Sequence, residues 1–319
     1  MRPALLLLAL AACYSPTPEG VCTVACTTAC PGELVCGGDG LCRATDDLDC
    51  VLRAEAGVDV GSPDAPRVQF GLVTRVDAIS SGDTDDDPTV SPNGLEMYFN
   101  SVRTGSASGD IYRSTRPAPG QLWSTPLLVS ALNSAAYENT PRLSFDGLVM
   151  HIGVADEILM STRQLVSSTA WTTPMPVGAL SSMEPDAEAS MTRDQLSIYF
   201  ASNRSGNYDI YVATRESPGS DWGPVTAVPG LNSAFDDESP FTTDGLTMYF
   251  SSRRTHTLAS SNLWMATRPT VTDAFGPAVP LDELNTDGAE EDPWLSEDGS
   301  TIWFASSRLT SFDIFTATR

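Results

Sequence analysis

The chain has 319 residues, with 41 acidic and 18 basic side chains and a net charge of −23. That length fits one large domain with appendages, and the acidic balance argues against nucleic acid or anionic lipid headgroups as partners. Every basic residue is arginine, which we read as compositional bias.

In chain order the first element is MRPALLLLALAAC, one arginine before nine apolar residues, Ala4 to Ala12. Spanning a bilayer takes about 20 apolar residues, so residues 1–12 read as a signal peptide. Leu10-Ala11-Ala12-Cys13 resembles the bacterial lipobox. That resemblance implies cleavage before Cys13 and attachment of lipid to its sulfur. Tyr14 follows, where an aspartate acts as an inner-membrane retention signal in some bacteria, so the expected location is the cell envelope, at the outer membrane or surface.

Residues 13–50 form the next segment. Six cysteines, Cys22, Cys26, Cys30, Cys36, Cys42 and Cys50, fall within 29 residues, and the 269 residues after them contain none. In an exported chain an even set of this kind reads as three disulfides, with the pairing left open. A metal site is the alternative, but the spacing contains no C-x-x-C. The segment has few large apolar residues, so cross-links would replace a core it cannot build. Residues 51–66 are small, acidic and rich in Gly and Pro, and read as a linker.

From residue 67 the chain repeats. Five aromatic anchors, Phe70, Trp123, Trp171, Trp222 and Phe275, stand 18 residues before Pro88, Pro141, Ala189, Pro240 and Pro293. After each of these an apolar strand leads into a turn: SPNG, SFDG, TRDQ, TTDG or SEDG. Asn-Gly and Asp-Gly between apolar runs are strong hairpin signals. Second strands such as LEMYFNS and STIWFAS follow, then third strands from DIYRSTR to DIFTATR, and a fourth surrounds each anchor. Units starting 53, 48, 51 and 53 residues apart, with four strands each, mean propeller blades. The last copy ends after its third strand, and the segment Phe70–Ile79 is expected to supply the fourth, pairing with Asp313–Arg319. An unclosed ring would leave strand edges unpaired. The expectation is therefore an all-β protein: a five-bladed β-propeller of four-stranded blades over 67–319, closed by its N-terminal strand and preceded by a small disulfide-rich segment.

The phrase SPNG…MYFNS…DIYRSTR and its copies resemble the TolB-like, WD-repeat-like propeller repeat. Copy two departs most: HIGVADE lacks the F-x-S-x-R found at Phe99–Arg103, Phe200–Arg204, Phe250–Arg254 and Phe304–Arg308. Copy three has Gln195 where the others have the turn glycine. The resemblance implies a periplasmic or surface binding scaffold, by analogy of fold alone.

An acid stands 15 residues after each anchor: Asp85, Glu138, Asp186, Asp237 and Glu290. In the blade scheme these five ring one channel mouth, with Asp86, Asp87, Glu188, Glu238, Glu291 and Asp292 beside them. Two readings are open. The five could form a ligand site for a cation such as Ca²⁺, for which carboxylate oxygens suit, or for a basic peptide. Otherwise each accepts N–H bonds within its loop or pairs with Arg103, Arg204, Arg254 or Arg308. The Thr-Arg pairs (Arg116, Arg163, Arg215, Arg268, Arg319) read as structural bonding, and the anchors as packing. Specific recognition would use segments that differ between blades: the loops TGSASG, SGNY, THTLASS and LTSF, and Tyr137 and Phe235 in the acidic loops.

The two histidines, His151 and His256, share no context, and no phosphate loop, zincin helix or nucleophile elbow is present. The expectation is a protein that is not an enzyme: a lipid-anchored scaffold binding a protein or envelope polymer through one propeller face, with no cofactor required and Ca²⁺ the candidate if there is one. The alternative is carboxylate-based glycan cleavage at the channel mouth, as in five-bladed glycosidases, which needs an acid with a raised pKa and a partner at a defined separation; the acids here are alike in sequence, which argues against differentiated roles.

Overall fold

The computed structural model describes residues 35–36, 42–43, 69–103, 109–254 and 260–319. The chain divides into two units, Met1–Asp59 and Val60–Arg319. In the first, β1 (Val35–Cys36) pairs antiparallel with β2 (Cys42–Arg43), placing Cys36 opposite Cys42. The expected signal peptide, the lipidated Cys13 and Cys22, Cys26, Cys30 and Cys50 lie outside the described residues, as do the side chains of Cys36 and Cys42.

The second unit is five four-stranded antiparallel sheets. Blade 1 is β4 (Asp85–Val90), β5 (Glu96–Ser101), β6 (Asp110–Thr115) and β7 (Leu127–Leu128). Blade 2 is β8 (Glu138–Leu143), β9 (Val149–Val154), β10 (Glu157–Thr162) and β11 (Met175–Pro176). Blade 3 is β12 (Asp186–Met191), β13 (Ser197–Ser202), β14 (Asp209–Thr214) and β15 (Thr226–Ala227). Blade 4 is β16 (Asp237–Phe241), β17 (Thr247–Ser252), β18 (Asn262–Thr267) and β19 (Val279–Pro280). Blade 5 is β20 (Glu290–Leu295), β21 (Thr301–Ser306), β22 (Asp313–Thr318) and, from the other end of the propeller, β3 (Thr74–Arg75). The expected closure is present: Arg75 lies opposite Phe315, and Thr74 opposite Thr316. The strands β4, β8, β12, β16 and β20 each touch the next and close an inner ring.

The turns follow the sequence signal. Gly94, Gly147, Gly245 and Gly299 take positive φ, and Gln195 takes φ 60° at the matching place in copy three. There a side chain meets the left-handed region, which costs roughly 1–2 kcal/mol relative to glycine.

Second-strand residues form the core between blades. Met97, Phe99, Ile198, Phe200, Met248, Phe250, Ile302 and Phe304 are fully buried. The Thr-Arg arginines knit the blades as expected. Each donates through Nε to the carbonyl of its own blade's turn residue, from Arg163 to Gly147 and Arg268 to Gly245 at 2.6 Å. Each also lies over an anchor ring, from 4.2 Å for Arg215 on Trp222 to 4.8 Å for Arg319 on Phe70. Such stacking is worth about 0.5–2 kcal/mol depending on desolvation. Arg163, Arg268 and Arg319 reach on to the hydroxyls of Tyr98, Tyr199 and Tyr249 in the preceding blade. At the seam, Trp294 of blade 5 donates Nε1–H to the carbonyl of Val90 at 3.0 Å.

Candidate functional site

The five acids expected to ring the channel open the inner strands, one per blade, and all are buried. Asp85 is typical. Its Oδ2 accepts Ser81 N–H at 2.5 Å, and its Oδ1 accepts Ser101 Oγ and Arg103 Nη2, both at 2.6 Å. Asp237 is held the same way by Ser233 N–H, Ser252 Oγ and Arg254 Nη2, each at 2.5 Å. Asp186 takes Ser182 N–H at 2.6 Å and Arg204 at 2.7 Å. Glu290 takes Thr286 N–H at 2.8 Å and Arg308 at 3.3 Å. The serine and arginine of F-x-S-x-R are thus a clamp on the acid, and each arginine stacks on its own motif's phenylalanine, at 5.2 Å for Arg103 on Phe99. Its Nη2 also donates to a loop carbonyl, Ile79, Leu180, Leu231 or Leu284, which ties the entering loop to the second strand. These four carboxylates are therefore occupied by protein donors.

Just past each clamped acid the inner strand bulges. One extra residue separates Asp86 from Thr89, Asn139 from Arg142, Ala187 from Ser190, Glu238 from Phe241 and Glu291 from Trp294 relative to the partner strand. The bulged residues Asp87, Thr140, Glu188, Ser239 and Asp292 all have positive φ, 46–60°. Bulges re-aim side chains, and these form a ring of their own. Thr140 N–H donates to Asp87 Oδ2 at 2.9 Å, Ser239 N–H donates to Glu188, and Asp292 Oδ1 accepts Ser239 Oγ and Arg142 Nη2, each at 3.0 Å. Arg142, on β8, is fully buried amid these acids.

The second acidic set has a different electrostatic character from the clamped set. Burial, then repulsion by Asp292, holds Asp87 well above the usual carboxylate range, and burial does the same for Asp86. Glu188 is held well up by burial and by Glu238. Glu238 is pushed to about 7 by burial and Glu291, against the attraction of Arg253. Glu291 is pushed to about 7 by burial and Asp292. Arg142 opposes the shift at Asp86, Asp87 and Glu188. Acids that look alike in sequence are therefore split into an ion-paired set and a set poised to hold protons near neutral pH.

Blade 2 breaks the pattern. Where the other copies carry Phe, Ser and Arg it has Ile152, Val154 and Asp156. Six to nine residues join the second and third strands of the other blades, whereas Ala155 and Asp156 alone join β9 to β10. Both have positive φ, 50° and 65°, the geometry of a tight two-residue hairpin. Glu138 consequently has no arginine clamp: Ser134 Oγ donates to its Oε1, and its Oε2 has no hydrogen-bond partner among the described residues.

The missing clamp and shortened loop open a cavity of about 350 Å³. Tyr137, Asn139, Thr140, Gly153, Ala155 and Asp156 from blade 2 form one wall. Asp186, Ala187, Glu188 and Tyr208 from blade 3 and Glu238 from blade 4 form the other. Two glycines shape it. A Cβ at Gly153 would sit 2.3 Å from Asn139 Oδ1 and 2.8 Å from Thr140 Oγ1. A Cβ at Gly109, whose φ is +136°, would sit 2.3 Å from the Tyr137 ring. Tyr137 is 42% exposed and Tyr208 half-buried. Burial and the surrounding carboxylates raise both phenols, Tyr208 feeling Glu238, Glu188 and Asp156, so both remain O–H donors. Thr140 is 4% exposed and its Oγ1 is unpartnered among the described residues.

Of the residues that the sequence marks, Tyr137, Asp186, Glu188 and Glu238 meet at this cavity, joined by Tyr208 of the SGNY loop; Asp85, Glu138, Asp237 and Glu290 do not line it. Phe235 is exposed and is not part of the lining. The repeat positions do not mark Asn139, Thr140, Gly153 or Asp156; their signal in the sequence is the departure of copy two from the repeat. No group of three or more His, Cys, Asp or Glu among the described residues is arranged to hold a metal ion. His151 is buried, and burial lowers it to about 4, as suits a structural residue.

No protein-family model matches the chain, and no curated protein matches it. Solved structures do. The α-L-arabinofuranosidase PaAbf62A from Podospora anserina, in complex with cellotriose, aligns with TM-score 0.54 at 12% identity over 79% of this chain and 96% of that one. An α-L-arabinofuranosidase from Lactobacillus brevis gives TM-score 0.51 at 13% identity over 77% and 94%. TolB from Acinetobacter baumannii gives TM-score 0.47 at 17% identity over 75% of this chain, which spans 55% of TolB's length. At these identities the likeness is one of fold. It corrects the expectation that the protein is not an enzyme, because arabinofuranosidases are built on this fold and it gives no ground for setting catalysis aside. Binding and catalysis both fit the propeller.

Proposed function

We propose that the cavity between blades 2 and 3 is a glycan site in which carboxyl groups cleave a glycosidic bond. The observation that carries this reading is the cavity that opens where copy two lacks its clamp, which brings ion-paired Asp186 together with raised Glu188 and Glu238 beside two tyrosines. Glycoside cleavage needs one carboxyl that keeps its proton and a second that is charged. Glu188, which burial and Glu238 hold well above its ordinary range, is the proton donor. Glu238, titrating near 7, is its partner. Tyr137 and Tyr208 supply ring faces and hydroxyls for a sugar. Asp85, Asp237 and Glu290 hold the loops that frame the site; Asp186 frames it and lines it. An exported, lipid-anchored chain, as the sequence at Cys13 suggests, would meet such a polymer in the cell envelope.

The test is release of reducing ends from a panel of arabinan, xylan and envelope polysaccharides by the whole chain. The reading expects release by the wild-type protein and a loss of 10²-fold or more in Glu188→Gln and Glu238→Gln, with melting temperature retained. Release that survives both substitutions would sink it.

A further inference from the structure

Resting on the glycan reading, we propose that the pocket selects a sugar bearing a protonated amine over neutral and acidic sugars. The observations concern the lining. Asp156, Asp186, Glu188 and Glu238 all border the cavity, and no arginine does. Arg204 neutralises Asp186 through a 2.7 Å pair. Arg142 and Arg253 act on Glu188 and Glu238 from outside the lining; Arg142 is engaged by Asp292, and Arg253 lies 3.7 Å from Asp236. The wall thus keeps an excess of carboxyl over guanidinium groups. Asp156 stands where four other blades place the clamp arginine, so the break in the repeat both removes a cation and adds an acid.

Two further features point to a ligand. Thr140 Oγ1, nearly buried on the cavity wall, lacks a hydrogen-bond partner among the described residues, and buried polar atoms without partners are rare. Tyr137 and Tyr208 flank the space, and aromatic faces beside carboxylates favour an ammonium group. A volume of about 350 Å³ lies at the small end of ligand pockets and suits one terminal sugar. A uronic acid carboxylate would meet no guanidinium on this wall and would face Asp156.

The experiment is calorimetric titration of the whole chain with three tetrasaccharides: β-1,4-glucosamine, its N-acetylated form and β-1,4-xylose, at 20 and 200 mM NaCl. The expected result is at least tenfold tighter binding of the glucosamine oligomer, weakened by salt, with the preference lost in Asp156→Asn. That variant sits on an exposed turn whose positive φ asparagine also accepts, so folding is not at stake; Glu188→Gln gives a second check on the cavity floor. Equal or tighter binding of the neutral oligomers would overturn the amine selectivity and leave the glycan reading standing. Absence of binding by all three would overturn both.

Discussion

Asp237→Asn tests whether the repeated acid is a clamp for the loop. The carboxylate is fully buried and accepts three hydrogen bonds, from Ser233 N–H, Ser252 Oγ and Arg254 Nη2, each at 2.5 Å. Asparagine keeps the shape but turns an N–H₂ toward one of these donors and leaves Arg254 without its counter-charge. Breaking a buried pair costs about 3–5 kcal/mol. Arg254 keeps 17% of its side-chain exposure, and its bond to Leu231 O at 2.7 Å and stacking on Phe250 at 4.9 Å persist. We therefore expect about 2–3 kcal/mol. For a domain of this size each kcal/mol moves the melting temperature by roughly 2–4 °C, so the drop should be about 5–10 °C by calorimetry. Glu216→Gln, on the surface, should change nothing, and Arg254→Met should be strongly non-additive with Asp237→Asn. A drop under about 1 °C would refute the clamp. A calcium-dependent rise in the wild-type melting temperature, lost in Asp237→Asn, would show instead that the acid serves a cation.

Three other outcomes follow from the same geometry. Gln195→Gly should gain about 0.5–1 kcal/mol in urea unfolding: it relieves the positive φ by roughly 1–2 kcal/mol but loses the exposed bond from Gln195 Nε2 to Asp146 at 2.6 Å. Melting temperature should fall as pH rises from about 4.5 to 7. Glu238 and Glu291 titrate near 7 in the fold and near the ordinary carboxylate value when unfolded, so the folded state binds more protons in that window and loses stability through it; a higher melting temperature at pH 8 than at pH 5.5 would contradict this. Gly109→Ala should displace the Tyr137 ring, which a new Cβ would approach to 2.3 Å, and weaken oligosaccharide binding at least tenfold while costing about 1–3 kcal/mol for its φ of +136°; unchanged affinity would remove Tyr137 from the site.

The propeller was legible because its devices recur. Asn-Gly and Asp-Gly turns, F-x-S-x-R and Thr-Arg each mark one job per blade, and Phe70 at the standard spacing before Pro88 placed the closing strand. The site was less legible for two physical reasons. The bulges at Asp87, Glu188 and Asp292 interrupt strand alternation, so sequence spacing does not say which acids face one another. Copy two was visibly irregular, yet the meaning of Gly153 and Asp156 depends on Tyr208 and Glu238, which arrive from other blades. Five identical spacings mark Asp85 and its counterparts, whereas the electrostatic differences arise one and two residues later.

The most direct measurement is a crystal structure of the chain soaked with the oligosaccharide that its titrations or activity select. The account predicts a sugar ring between Tyr137 and Tyr208, with Glu188 or Glu238 within hydrogen-bond reach of a glycosidic oxygen and Thr140 Oγ1 bonded. Density for the sugar elsewhere on the propeller, with this cavity occupied by water alone, would contradict it.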